Sequence, residues 1–186
     1  ERLLNAAAVV LAERGYAGTR LSDIAEEAQI QAPAIYYYYS SREDLIEEVM
    51  YVGAAAMLSH LQEAMAALPE TTNPAARIAA AVEAHLRNEL ELSNYAKAII
   101  RNSNQLPEEV GKRAREEIAA YNGIWRELIA DLERAGMLRE DVDPSVARMI
   151  VLGALNWAAE WYDPKRGKLD DAIRTAQSMI LHALRP

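Results

Sequence analysis

Four consecutive tyrosines, Tyr36 to Tyr39, with Gln31, Ala32 and Pro33 just before them and Arg42 just after, are the side chains in this sequence best suited to act on another molecule. Tyrosine hydroxyls donate to phosphate oxygens, rings and proline carbons lie against thymine methyl groups, and an arginine at a helix N-terminus adds a cation beside free backbone N–H groups. The chemistry is recognition of duplex DNA. The plainer reading is that such a run is a helix end packing into the core, and one or two of the rings must do so whatever the function. Exposed contiguous aromatics nonetheless signal interaction.

Catalysis has little support by comparison. His60, His85 and His182 are scattered, and although His85 with Glu89 four residues on forms half of a metal site, no second pair accompanies it. With no cysteine in the chain, thiolate chemistry, disulfides and cysteine zinc sites are excluded. No nucleophile, base and orienting group recur together. The reading is therefore a binding protein without enzymatic activity, cofactor or metal.

The charge runs against non-specific attraction to nucleic acid. The chain carries a net −8, and residues 1–48 hold 4 arginines against 9 acids. An all-helical protein-interaction module without DNA binding is thus the alternative, and operator binding is what separates the two readings.

The elements that must position these groups are helices. Ala, Leu, Glu and Arg dominate, and apolar residues recur at spacings of three and four. A first helix turns Leu4, Ala8 and Leu11 inward. A short second helix, started by Thr19, contains Leu21, Ile24, Ala25 and Ala28. A turn at Gln29 and Ile30 leads to a third from about Ala32 to Tyr38. Two short helices across a tight turn make a helix-turn-helix, whose second helix enters the major groove. A long helix from Arg42 to Leu68 follows, capped by Ser40 and Ser41 and stopped at Pro69. Later helices start at Pro74, Pro107 and Pro144, each with proline in the first helical position. The segment from Pro144 to Tyr162 is apolar on nearly every side, so it and the last helix, from Lys168 to Leu184, call for a dimer interface. The run Ala6–Ala12 is too short for a signal sequence and no stretch is long enough to span a bilayer, which places the chain in the cytoplasm by default.

The stretch Gly15-Tyr16, Thr19, Asp23-Ile24-Ala25, Ala28, Ile30, Ile35 to Tyr39, Ser41-Arg42-Glu43 and Leu45 resembles the signature of the TetR family of transcriptional regulators nearly position by position. The resemblance implies an all-α protein with a three-helix helix-turn-helix domain over residues 1–47 and a helical ligand-binding and dimerisation domain over 48–186. It implies that Pro33 and Tyr37 approach base edges while Tyr36, Tyr38 and Arg42 hold phosphates, with Gln31 and Ala32 at the head of the recognition helix and Arg20 and Ser22 as weaker contacts. Gln29 replaces the usual turn glycine, Gln31 a small hydroxyl residue, Ala32 a frequent lysine and Tyr39 the usual phenylalanine, so the motif keeps its shape and loses cations.

The same resemblance implies a homodimer joined through the last two helices, bound to a palindromic double-stranded operator and released by a small effector. Candidate effector-lining residues are Met57, Leu61, Val82, Leu86, Tyr95, Ile99, Tyr121, Trp125, Leu128, Asn156 and Trp157. Any one of these apolar positions is more readily core than ligand contact, and Asn156, an amide in an apolar helix, is the strongest candidate. The run Asn156-Trp157, Trp161-Tyr162, Pro164, Gly167, Leu169 is similar to regulators of fatty-acid and steroid catabolism, which implies an acyl-CoA or other lipid-like effector. Lys165, Arg166 and Lys168 nearby could meet a CoA phosphate, although such a turn is ordinarily a solvated loop.

Overall fold

A computed structural model describes residues 1–92, 94–102 and 104–186, and all regular structure among them is helical. The chain forms two compact units, Glu1–Met57 with Ser93–Ala119, and Leu58–Leu92 with Ala120–Pro186.

In the first unit, α1 (Arg2–Gly18), α2 (Leu21–Glu27), a 3₁₀ helix (Ala32–Tyr37) and the first part of α3 (Arg42–Ala66) enclose one core. Ala8 and Leu11 of α1, Ile24 and Ala25 of α2, Ile35, and Leu45, Ile46 and Met50 of α3 are its buried centre. Ser41 starts α3: its Oγ accepts the Asp44 N–H at 3.0 Å, and the Ser40 hydroxyl donates to the Asp44 carboxylate at 2.8 Å. Thr19 does not cap α2. Its hydroxyl turns back and donates at 2.7 Å to the Gly15 carbonyl, which also accepts the Thr19 N–H at 3.1 Å, beyond the break in α1 at Gly15 (φ 71°).

A helix that the sequence does not announce, α5 (Asn94–Asn102), lies in the same compact unit as α1. Its Asn102 is fully buried, accepts the Tyr16 N–H at 2.7 Å and donates to the Leu11 carbonyl at 3.1 Å. Arg101 donates to the Ala12 carbonyl at 2.8 Å, so α5 satisfies backbone groups that the break at Gly15 releases. Gly53 permits α3 and α5 to cross closely: a Cβ there would fall 2.8 Å from Ile99 Cδ1. At nine residues α5 is short, and it begins without the proline that marks the starts of α4 and α7.

The second unit contains α4 (Pro74–Arg87), a π-helical turn (Asn88–Leu92), α7 (Pro144–Asn156), α8 (Ala158–Trp161) and α9 (Leu169–Leu184). It also holds the later part of α6 (Lys112–Arg134), whose earlier part lies in the first unit. Asn73 caps α4 by accepting the Ala76 N–H at 2.9 Å, and Asp143 caps α7 by accepting the Val146 N–H at 2.8 Å. The helix expected from Pro107 begins later, at Lys112. Residues 107–110 close a turn instead, with the Val110 N–H on the Pro107 carbonyl at 3.2 Å, and Gly111, a poor helix former, separates turn from helix. The single helix expected from Pro144 to Tyr162 divides at Trp157 into α7 and α8.

Candidate DNA-binding surface and effector site

The turn between α2 and the 3₁₀ helix rests on Gln29, whose φ of 54° is left-handed. A side chain is tolerated there at a cost of about 1 kcal/mol or more, which explains why glycine suits this position. The turn is closed by the Ile30 N–H on the Ala25 carbonyl at 2.9 Å.

Burial along the 3₁₀ helix follows a period of three. Ala32 is half-buried and Ile35 fully buried, whereas Pro33, Ala34, Tyr36 and Tyr37 are exposed. Tyr36, Tyr37 and Tyr38 expose 61%, 85% and 69% of their surface, far more than burial in a core allows. Tyr39 is the one that turns inward to the core; its phenol is pushed up by burial and by Glu48. Tyr37 and Tyr38 meet edge to face at 4.9 Å between centroids and so hold each other's orientation. Gln31, Arg20 and Ser22 are exposed near this surface's chain segment, and Ala34, not among the sequence candidates, is exposed on the recognition element itself.

Arg42, for which the resemblance implies a phosphate contact, is engaged within the protein. Its Nε donates to the Thr19 carbonyl at 2.8 Å, Nη2 to the Tyr16 carbonyl, and Nη1 pairs with Glu43 at 2.8 Å, while the guanidinium lies 4.5 Å from the Tyr16 ring centroid. The carbonyls beyond the break in α1 draw it inward, so it ties α3 to the end of α1.

The effector candidates fall in both units. Met57, Tyr95 and Ile99 pack with the first unit's core, and the Tyr95 hydroxyl donates to Asn5 at 2.7 Å. Leu61, Val82, Tyr121, Trp125 and Leu128 are buried in the second unit. Leu86 and the exposed Trp157 line an apolar groove of about 830 Å³ along α7, α8 and α9, and Asn156 is half-buried as the last residue of α7. Arg166 and Lys168 stand at the groove's edge, and Arg166 lies 3.5 Å from Asp163.

Sequence reasoning treated His85 and Glu89 only as half of a metal site. The structure buries both beside Tyr121 and Trp125. His85 Nδ1 lies 2.7 Å from the Tyr121 hydroxyl and Nε2 lies 3.1 Å from Glu89 Oε2. The tautomer with hydrogen on Nε2 satisfies both contacts: Nε2–H donates to the carboxylate and Tyr121 donates to Nδ1. Burial pushes the Tyr121 phenol up and keeps it a donor. Among the described residues, no three histidine, aspartate or glutamate side chains converge as a metal site, and no helix is long and apolar enough to cross a membrane.

A helix-turn-helix with an aromatic recognition element, followed by an all-helical domain, defines a DNA-binding transcriptional regulator. Residues 3–49 match the model of bacterial regulatory proteins of the tetR family, and residues 71–184 match that of the tetracyclin repressor-like C-terminal domain. The chain belongs to the TetR family. It is 26% identical to the HTH-type transcriptional repressor KstR2 of Rhodococcus jostii (strain RHA1) over 98% of this chain and 89% of that one. It is 22% identical to the fatty acid metabolism regulator protein of Bacillus subtilis (strain 168), over 83% and 78% of the two chains. The fold matches the crystal structure of AibR in complex with isovaleryl coenzyme A and operator DNA with a TM-score of 0.84, at 23% identity over the whole of both chains.

Proposed function

We propose that this protein is a repressor that binds a palindromic operator as a homodimer and is released by an acyl-CoA thioester or a similar lipid-like effector. The observation that carries the DNA-binding half is the exposed, mutually braced tyrosine row on a helix-turn-helix. Pro33 and Tyr37 approach base edges, Tyr36 and Tyr38 donate to phosphates, and Gln31, Arg20 and Ser22 add polar contacts. Membership of a family of transcriptional regulators leaves the protein-interaction alternative without support.

The dimer follows from the second unit's surface. Val146, Met149 and Ile150 of α7, Trp157, Trp161, and Met179 of α9 are all exposed large apolar side chains, and several of them line the apolar groove. A second copy of the same face covers it through a two-fold interface, which is also the symmetry a palindrome requires. The effector class is supported by the relatives' names, which speak of fatty acid metabolism and of a bound acyl coenzyme A.

Release is a population shift. To change DNA affinity tenfold, an effector has to distinguish two conformations by about 1.4 kcal/mol. The deciding experiment is selection of bound duplexes from a random pool by the wild type and by Tyr37→Ala, followed by titration of acyl-CoAs against the recovered operator complex. A palindrome recovered by the wild type alone, then released by an acyl-CoA, is the expected result. No enrichment would overturn the repressor, and no release by any chain length would overturn the effector class.

A further inference from the structure

One ion pair in the first unit joins α6 to the helix that follows the recognition tyrosines. Arg113, in the first turn of α6, donates from Nη1 to Glu48 Oε2 of α3 at 2.7 Å, and its guanidinium carbon lies 3.7 Å from the centre of the Tyr51 ring. The ring face fixes where the cation sits. Glu48 in turn acts on Tyr39, whose phenol is pushed up by burial and by that carboxylate, and Tyr39 is the inward-turned anchor at the end of the exposed row Tyr36 to Tyr38. All four of these residues, Arg113, Glu48, Tyr51 and Tyr39, belong to the first unit.

Neither partner is placed for the benefit of its own helix. Acids in a helix's first turn are favoured by its dipole, which accounts for Glu43 and Asp44, but Glu48 stands a turn further on. The first turn of α6 has no acid and carries Lys112, Arg113 and Arg115, cations that oppose the dipole. Glu43 and Asp44 are met locally, by Arg42 and by the Ser40 and Ser41 hydroxyls, whereas the cation on Glu48 comes from 65 residues away. A free carboxylate at the base of a phosphate-binding surface repels DNA, over roughly a 10 Å range at about 0.1 M salt. We propose that Arg113 is a positioning residue for operator binding: held against Tyr51, it neutralises Glu48 and so shields the phosphate contacts of the recognition tyrosines from that carboxylate. This rests on the proposed contact of the tyrosine row with DNA. The plainer role of a half-exposed ion pair is a tether between two helices that contributes little. Masking requires Arg113 only while Glu48 is charged; a tether requires both partners.

Operator affinity is measured by fluorescence anisotropy on the duplex recovered by selection, at about 0.05 and 0.2 M salt, for wild type, Arg113→Gln, Arg113→Lys, Glu48→Gln and the double variant Arg113→Gln, Glu48→Gln. Thermal melting follows folding in parallel. Arg113→Gln is expected to lower affinity about threefold to tenfold at the lower salt concentration and by less at the higher, since salt screens the freed carboxylate. Glu48→Gln is expected to bind at least as tightly as wild type. Combined with Arg113→Gln, it is expected to restore the affinity that the arginine variant loses. Arg113→Lys keeps the cation and should retain wild-type affinity.

A tether gives a different pattern: Glu48→Gln loses as much as Arg113→Gln, and the double variant recovers nothing. Either of those results overturns the proposal. So does wild-type affinity in Arg113→Gln at the lower salt concentration, or a loss in Arg113→Lys equal to that in Arg113→Gln. If Arg113→Gln fails to fold, Arg113→Met, which keeps the stem against Tyr51 without the charge, takes its place in both the single and the double variant with the same outcomes. Failure of the wild type to bind any duplex overturns the repressor itself, whereas wild-type binding that is indifferent to Arg113 leaves the repressor standing and overturns this inference alone.

Discussion

The Asn102 side-chain carbonyl accepts the backbone N–H of Tyr16 at 2.7 Å, joining residues 86 positions apart in the chain. The same amide donates to the Leu11 and Ala98 carbonyls at 3.1 and 2.7 Å, which makes one buried residue the cap for the break in α1. Asn102→Leu leaves the Tyr16 N–H and the Leu11 carbonyl buried without it, and is expected to lower unfolding free energy by about 2–4 kcal/mol. Urea unfolding measures the loss. Asn102→Asp, which keeps the acceptor for Tyr16 and removes both donors, should fall short of wild type as well.

Arg42 supports the fold through the Thr19 and Tyr16 carbonyls. Arg42→Ala is therefore expected to cost about 1–2 kcal/mol of stability, read from thermal or urea unfolding, and to leave the salt slope of operator binding unchanged. A lost phosphate contact would lower that slope by about 0.9. Because the recognition segment is poor in cations, the wild-type slope itself should be shallow, and a value near ten would contradict the contact set proposed for the tyrosines.

Tyr37 behaves in the opposite way. It is 85% exposed and braces only its neighbour Tyr38, so Tyr37→Ala should change stability by no more than about 0.5 kcal/mol. Operator affinity should fall about tenfold or more, as loss of a base contact does. Fluorescence anisotropy on the selected operator measures it.

Gln29 holds a left-handed backbone at the turn. Gln29→Gly relieves that conformation and is expected to raise unfolding free energy by up to about 1 kcal/mol, the relief being partly offset by the larger entropy of glycine in the unfolded chain. Gln29→Val, β-branched, should lower it.

Asp44 gives the pH dependence. Hydrogen bonds from the Ser40 and Ser41 hydroxyls hold its carboxyl below the usual range. A depressed folded value means that the contribution is present above the unfolded carboxylate value of about 3.9 and is lost as pH falls through the folded value. Wild type and Asp44→Ala should therefore differ in melting temperature near neutral pH and converge in acid below that range.

Much of the recognition segment was legible because its residues act locally. A serine before Arg42, prolines after Asn73 and Asp143, and apolar spacing in α1 and α2 each set a helix or a cap through neighbours in sequence. What escaped depends on distant partners. The inward turn of Arg42 is decided by carbonyls 23 and 26 residues away, left without helical partners where α1 ends. The start at Pro107 was misread because proline suits a turn as well as a first helical position. Apart from Asn156, chosen as an amide, the effector candidates are apolar positions on helices, and an apolar residue on an amphipathic helix looks the same whichever unit it packs in. His85 and Glu89 were visible as a pair, yet their importance lies in Tyr121 and Trp125, which approach from another helix.

The 3₁₀ form of the recognition element limits how its operator preference can change. With three residues per turn, side chains three apart eclipse one another, so the element is a three-sided prism with the side carrying Ala32 and Ile35 sunk into the core. Two files of the prism remain exposed for the proposed reading of DNA, Pro33 with Tyr36 and Ala34 with Tyr37. A larger residue at position 34 stands in line with Tyr37 and displaces it. New operator preferences are thus reached by exchanging residues in pairs along one file, and a library that varies these positions singly will mostly find loss of binding.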